Sequence, residues 1–312
     1  MALTETELNA VSDVYWNSGG AVDQFFKGNV LMYRLLKKGN KYPGGKKIKQ
    51  ILEYGEPHGG AFNAQSTFNT SKYEEFTAAF FKAAYYYEPI TYDIDDEVEN
   101  AGDAQKVDLI TSKLKSAQKK IRSKMADDLY SATSYGSTGR GILGLLAMIA
   151  TSTTSYGEIS STDLSEWTAG SVTTSAASLT LNILRSLNTA CVVGDDPGDE
   201  PTINVTTRTL MDVVKSQTLP HLKLENSDLA DFGFKNIVFE GKPVVADYKC
   251  PSGYLFALNE NYMDFKSHSG FFFKREPWMR PTDAYKFTTQ IIWVGQMVCK
   301  RRNAHGYRSS LS

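Results

Sequence analysis

Cysteine and histidine are scarce here, three and four residues respectively in a chain of 312. Cys191, Cys250 and Cys299 are odd in number, far apart and without a CxxC pair, which argues against a disulfide framework or a structural zinc site. His58, His221, His268 and His305 are scattered with no HxxxH or HExxH spacing, so neither a metal centre nor a catalytic triad is expected. There is no GxSxG elbow and no P-loop. An excess of one charge is also missing. The net charge is −1, which argues against a dedicated nucleic-acid binder. The longest apolar stretch, Ile142 to Ala150, is far short of the roughly 20 residues that cross a bilayer. The start, MALTETELNAVSDVYW, lacks the basic and apolar pattern of a signal peptide. No metal, no cofactor and no membrane partner are expected, and the cysteine usage fits synthesis in a reducing cytoplasm.

What the sequence does hold is enough apolar material for a sizeable core, at 41% hydrophobic and 12% aromatic residues. Thr4 with Glu7 has the pattern of a capping box opening a first helix. A second helix is expected from about Ala21 to Lys38, with Val22, Phe25, Phe26, Met32, Tyr33 and Leu36 on its apolar stripe. Strands are expected at Lys46 to Tyr54 and Phe76 to Tyr87, flanking a polar loop with Phe62 and Phe68. Two strands around so long a loop are unusual in a self-contained domain.

From Asp103 to Thr133 the apolar positions Val107, Ile110, Leu114, Ala117, Ile121, Met125 and Leu129 recur at three- and four-residue steps. That predicts one amphipathic helix of roughly 30 residues, about 45 Å long. A short apolar helix at Ile142 to Ala150 follows. Helices at about Ser178 to Thr189 and Thr207 to Leu219 enclose a strand at Thr202 to Thr206. The last third reads as β, with strands at Phe234 to Phe239, Val244 to Tyr248, Tyr254 to Leu258, Gly270 to Lys274 and Ala284 to Lys300. The class is α+β.

Four features invite a functional reading. Gly139, Gly141 and Gly144 match GxGxxG, but follow a helix where a dinucleotide site requires a strand, so a hinge is favoured. Asp195, Asp196, Asp199 and Glu200 lie in a turn that Pro197-Gly198 already demands, without EF-hand spacing. Lys300, Arg301, Arg302 and Arg308 read as a short solvated tail, with nucleic-acid contact as the rival. Finally, charge is segregated. Lys27, Arg34, Lys37, Lys38, Lys41, Lys46, Lys47 and Lys49 form an acid-free block, while acids dominate from Glu88 to Asp108. Such blocks are either solvated faces or complementary surfaces between copies.

The order of elements and several local stretches carry a resemblance. The stretches are Leu35-Leu-Lys-Lys-Gly39, Gly44-Gly45 with Ile51-Leu-Glu-Tyr-Gly55, the helix from Asp103, Gly144-Leu-Leu146, Ser155-Tyr-Gly157-Glu-Ile159 with Trp167, Phe234-Lys-Asn-Ile-Val-Phe-Glu-Gly-Lys-Pro-Val-Val-Ala-Asp247 and Gly253-Tyr-Leu-Phe-Ala-Leu-Asn259. Together, over about 280 residues, the chain resembles the major capsid proteins of tailed bacteriophages, of the Hong Kong 97 type.

The resemblance implies an N-terminal arm (1–45), an extended β-hairpin loop (46–95), a peripheral domain (96–140 and 260–304) with its spine helix at 103–133, an axial α+β domain (141–259) and a C-terminal tail (305–312). It implies self-assembly into hexamers and pentamers of an icosahedral head around double-stranded DNA held without sequence-specific contacts. Assembly would take place in the bacterial cytoplasm with portal, separate scaffolding and decoration proteins as partners. Candidate inter-subunit contacts are then Arg34, Lys37, Lys38, Lys46, Lys47, Phe62, Phe68, Tyr73, Asp95, Asp96, Glu97 and Glu99. No catalytic residue is expected. An encapsulin-like cellular compartment and a nucleotide-dependent enzyme at the Gly139 to Gly144 turn remain the alternatives.

Overall fold

The computed structural model describes residues 29–55, 58, 61, 63, 67, 71–72, 74–93, 103–132, 135, 139–150, 155–194, 196–218, 236–281 and 286–312. Helix α1 (Val30–Lys38) begins where the Asn29 side chain accepts a hydrogen bond from the Met32 amide at 2.9 Å. It buries Val30, Leu31, Met32, Tyr33 and Leu35 and ends on Lys37 and Lys38, cations suited to a helix C-terminus. At Gly39 a side chain would collide with the Phe265 carbonyl 2.7 Å away. The chain then enters strand β1 (Asn40–Tyr42), followed by β2 (Ile48–Glu53).

Strand β3 (Phe76–Phe81) pairs antiparallel with β2, Ile48 opposite Phe81 and Glu53 opposite Phe76. The sequence suggests one strand from Phe76 to Tyr87, but the strand breaks at Lys82 and Ala83. Strand β4 (Ala84–Asp93) joins a different sheet. The break is held from below by Gln296, whose buried amide donates to the Lys82 carbonyl at 2.8 Å and accepts from the Leu143 amide at 2.8 Å. A carbonyl freed from a ladder needs such a partner.

The long helix α2 (Asp103–Leu129) ends four residues before the expected Thr133, with Tyr130 and Ser131 in the turn beyond it. Its apolar stripe, Leu114, Ala117, Ile121, Met125 and Leu129, is buried. The stripe packs on the face of β4 that carries Tyr86, Glu88, Ile90 and Tyr92. Helix α3 (Leu145–Met148), strand β5 (Ser171–Thr173), helix α4 (Leu181–Ala190), strand β6 (Ile203–Thr206) and helix α5 (Arg208–Thr218) follow. The rest of the described chain is β7 (Asn236–Phe239), β8 (Lys242–Ala246), β9 (Leu255–Leu258), β10 (Met263–His268), β11 (Lys274–Arg275), β12 (Lys286–Cys299) and β13 (Gly306–Arg308).

Two of these differ from the sequence reading. The strand expected at Gly270 to Lys274 is only the pair Lys274–Arg275, and a full strand precedes it at Met263–His268. Asp264 and Lys266 disguise that strand. Each polar group has a partner, since Asn40 donates to Asp264 at 2.9 Å and Lys266 donates to Gln50 at 3.0 Å. The expected tail 305–312 is not a tail. Strand β13 lies inside a sheet, parallel to β5 on one side and antiparallel to β9 on the other.

The strands form two main sheets. The first is built around β12, which pairs with β10 at residues 295–299, with β11 at 291–292 and with β4 at 286–295. The second has the order β5-β13-β9-β6-β8-β7. In β6 and β9 all four residues are buried, as in strands covered on both faces. Alternate residues serve two cores. Leu255 and Ala257 pack with Leu184, Leu187, Leu210 and Met211 of α4 and α5. Phe256 and Leu258 face the main core, which also holds Ile121, Met125, Trp293 and Met297.

Between β12 and β13 sits Arg302, only 1% exposed. Its guanidinium donates to the carbonyls of Met148 at 2.7 Å, Trp167 at 2.6 Å and Ala150 at 2.8 Å, and lies 5.0 Å from the Tyr156 ring centre. This corrects the reading of Arg302 as part of a solvated tail. Replacing it with methionine strands three carbonyls, each worth about 1–3 kcal/mol when left unmade. Arg302→Met is expected to lower the urea midpoint sharply, or to leave the chain insoluble on expression.

His305 is fully buried, and its Nδ1 accepts the Asn259 amide at 3.1 Å, which places the proton on Nε2. Burial lowers its pKa from 6.5 to about 3. The unfolded chain therefore gains a proton below pH 6.5 that the folded chain refuses. Stability is complete above that pH and falls by about 1.4 kcal/mol per unit below it. Urea midpoints at pH 7.5 and 5.5 should diverge in the wild type and converge in His305→Phe.

Candidate inter-subunit surfaces

The acid-free block of the sequence is built mostly from α1, β1 and the turn into β2. Lys37, Lys38, Lys41, Lys46, Lys47 and Lys49 are exposed. Among the described candidate contacts, Arg34, Lys38 and Lys47 make ion pairs within the chain. Arg34 reaches Glu260, a carboxylate just after β9 whose side chain is 1% exposed. It donates through Nε to one oxygen and through a terminal nitrogen to the other at 2.6 Å. Lys38 approaches the same carboxylate at 3.5 Å. Lys47 donates to Glu158 at 2.6 Å. The Arg34 pair ties α1 to the second sheet, so its charge is compensated inside the subunit. Phe62, Phe68, Tyr73, Asp95, Asp96, Glu97 and Glu99 lie outside the described residues. In the acidic block, Glu88 is buried and accepts from Lys120 at 2.7 Å and Lys124 at 3.4 Å, both on α2.

The β2–β3 hairpin has two faces. Ile48, Leu52, Ala79 and Phe81 turn inward. Ile51 and Phe76 turn outward, 60% and 59% exposed, and Tyr54 just beyond β2 is also exposed. The register sets Ile51 opposite Ala78 and Phe76 opposite Glu53, which makes Ile51 and Phe76 diagonal neighbours on one face. A two-stranded sheet is marginal by itself in water. The base of this one is held by the Phe80 amide, which donates to the Gly157 carbonyl at 2.8 Å.

A second apolar surface lies on the first sheet, on the face away from α2. Tyr85 and Tyr87 of β4 are exposed, as is Met279, while Phe271 and Phe272 stand at the margin of exposure. Ile292 sits between Lys274 of β11 and Tyr87 of β4 in one row across the sheet. Arg140 lies over the Tyr85 ring at 5.4 Å, and Lys274 over Phe271 at 5.3 Å. The sequence reading placed a strand here but did not separate its two faces. The signal was present. Ala84–Asp93 alternates, and Tyr86, Ile90 and Tyr92 already fill the inner face. Aromatics on the other parity need a second cover. The open edge of β4 is closed to further strands by Pro89. The Tyr85 amide points outward, to the Arg140 carbonyl at 2.9 Å, so every second residue from it, Pro89 included, presents its amide side to that edge. Proline has none to offer.

The other chemical candidates resolve as packing. Gly144 caps α3, and a side chain there would strike the carbonyls of Ser131 and Asp128 beyond and within the last turn of α2. Gly141 donates to the Tyr135 carbonyl at 2.6 Å. The glycines thus let the loop pass close to the end of α2, and among the described residues the element before them is that helix and not a strand. The three cysteines are buried and unbridged, and burial pushes the Cys191 and Cys299 thiols up to about 12. Asp199 accepts a hydrogen bond from the Tyr262 hydroxyl and faces Arg301 at 3.6 Å. Among the described residues no group of three or more His, Cys, Asp or Glu side chains is placed to hold a metal ion, and no helix is long and apolar enough to cross a membrane.

No family model and no curated relative matches the sequence. Solved structures do. The chain is similar to the capsid asymmetric unit of cyanophage A-1(L), at 17% identity over 90% of this chain and 92% of that one, with a TM-score of 0.65. It is similar to the capsid of the Myoviridae phage XM1 (13% identity, 88% and 91% covered, TM-score 0.56). It is also similar to an encapsulin complex from Synechococcus elongatus (10% identity, 89% and 87% covered, TM-score 0.57). The fold is therefore that of the Hong Kong 97-type capsid proteins.

Two positions of the basic block should separate on mutation. Arg34→Gln leaves the buried Glu260 with Lys38 at 3.5 Å and the Thr202 hydroxyl at 3.5 Å, and losing the main partner of such a pair costs about 3–5 kcal/mol. It should lower the urea midpoint of the unassembled subunit. Lys46→Gln, at an exposed site, should leave that midpoint unchanged.

Proposed function

We propose that this chain is the major capsid protein of a tailed phage, a structural protein without catalytic activity. It self-assembles into the hexamers and pentamers of an icosahedral head around double-stranded DNA. The observation that carries the reading, beyond the fold, is the β2–β3 hairpin. It projects an apolar face, Ile51 and Phe76, that nothing within the described subunit covers. A neighbouring copy supplies that cover, and repetition of the contact by symmetry makes a closed shell.

In this reading residues 1–45 form the arm and 46–95 the extended loop that lies across a neighbour. Residues 96–140 and 260–304 form the peripheral domain, with α2 as its spine. Residues 141–259, joined by β13, form the axial domain around each capsomer centre. Of the basic block, Lys41, Lys46 and Lys49 are exposed cations that a neighbouring copy could meet. Portal, scaffolding and decoration proteins are the further partners, and the virion is the final location. The encapsulin likeness supports a second reading, a cellular compartment. The contents of purified particles distinguish the two, DNA in a phage head and a protein cargo in a compartment.

Purified protein should elute as capsomers or shells, and a subunit that stays monomeric at high concentration with no particles by electron microscopy counts against the proposal. Ile51→Asp and Phe76→Asp should abolish particle formation while leaving the circular-dichroism spectrum and urea midpoint of the subunit within about 0.5 kcal/mol of wild type, as expected for exposed sites.

A further inference from the structure

Helix α2 carries its charge unevenly. Between Leu109 and Ala126 it holds Lys113, Lys115, Lys119, Lys120, Arg122 and Lys124, and neither Asp nor Glu. The apolar residues described in the helix, Leu114, Ala117, Ile121, Met125, Ala126 and Leu129, are all buried. Its outer surface shows Lys115, Ser116, Lys119, Lys120 and Lys124, with Arg122 and Ser123 half-buried. Lys115, Lys119 and Arg122 are four and three residues apart, so they form one line about 10 Å long.

The shoulder toward β4 is also basic. Lys113 donates to the Thr91 carbonyl at 3.1 Å, and Lys120 and Lys124 share the single carboxylate of Glu88. A shallow groove of about 260 Å³ lies there, lined in part by Lys113, Ser116 and Lys120. The whole chain has a net charge of −1, so this concentration of positive charge is local.

We propose that this face of α2 is the inner surface of the shell wall and binds the phosphate backbone of packaged nucleic acid. The inference rests on the capsid reading above. A protein partner, such as the acidic segment of a second copy, is the other occupant to weigh. Protein interfaces are built around an apolar centre, and the described part of this face offers none, whereas the opposite face of the sheet shows Tyr85, Tyr87 and Met279. Ammonium, guanidinium and hydroxyl groups are the donors that position proteins on phosphates. Gln118 is the one amide side chain between Leu109 and Ala126, and it is buried. The face exposes no carboxamide to read adenine, and its line of lysines and serines is suited to the phosphate backbone, which carries no sequence information, so binding is indifferent to sequence.

The test is fluorescence anisotropy of a labelled 30-base-pair duplex of arbitrary sequence, titrated with the unassembled full-length subunit at several salt concentrations. Electron microscopy of the same preparations under assembly conditions accompanies it. Lys115→Gln/Lys119→Gln/Arg122→Gln is expected to weaken binding at least tenfold at low salt. It should reduce the slope of log K against log salt by about 2–3, near 0.9 for each lost phosphate contact. The double variant Lys115→Gln/Lys119→Gln, at two exposed positions, should reduce it by about 2 and does not depend on Arg122 for folding. Arg185→Gln/Arg208→Gln, removing two exposed cations from α4 and α5, should leave the slope unchanged.

Undetectable binding by wild-type subunit, or an equal loss in the α4/α5 variant, overturns the proposal. So does a triple variant that binds duplex normally but no longer assembles, which assigns the face to a neighbouring copy. A wild type that forms no particles is instead the failure of the capsid reading.

Discussion

A single run of chain, Lys286 to Arg308, passes through both sheets. Its first part, β12, is the strand on which β4, β10 and β11 are assembled. Its last part, β13, separates β5 from β9 in the other sheet. The joint between the two parts is pinned by Arg302 through three carbonyls from two separate loops and by His305 through the Asn259 amide. Among the described residues no carboxylate pairs with the buried Arg302, so its tolerance depends on those carbonyls and on the Tyr156 and Trp167 rings. Because the two sheets share one core and one continuous strand path, strain at one is transmitted to the other.

The surfaces divide by chemistry in a way that suits a wall. One face of the first sheet displays tyrosines and a methionine, and the helix covering the other face displays lysines and serines. The hairpin carries its apolar face outward at the end of a narrow ladder. Pro89 bars the open edge of β4 from adding strands.

Much of this was legible in the sequence because the elements concerned obey a single period. Helix α2 announces itself through the spacing from Leu114 to Leu129, and β6, β8 and β9 through short apolar runs between turns. The legibility failed where one residue serves two demands. Asp264 and Lys266 disguise β10 because their charges are met by Asn40 and Gln50, contacts that close only in three dimensions. The break at Lys82 depends on Gln296, more than 200 residues away. Arg302 and Arg308 looked like a solvated tail because basic residues near the end of a sequence commonly are one. Burial of Arg302 rests on carbonyls from residues 148, 150 and 167 that no local pattern foretells. The charge blocks were visible at once, but their division into internal pairs, such as Arg34 with Glu260, and outward-facing cations required the fold.

The late position of β12 and β13 in chain order has a consequence for timing on the ribosome. Until β12 has been made, β4 lacks its ladder partner, until Arg302 the segments at Met148 and Trp167 lack the guanidinium that gathers them, and until β13 strand β9 lacks one neighbour. Nascent chains crowded on one messenger would otherwise meet at high local concentration, each with a sticky hairpin already synthesised. Deferring the keystone strands withholds a rigid platform from that hairpin.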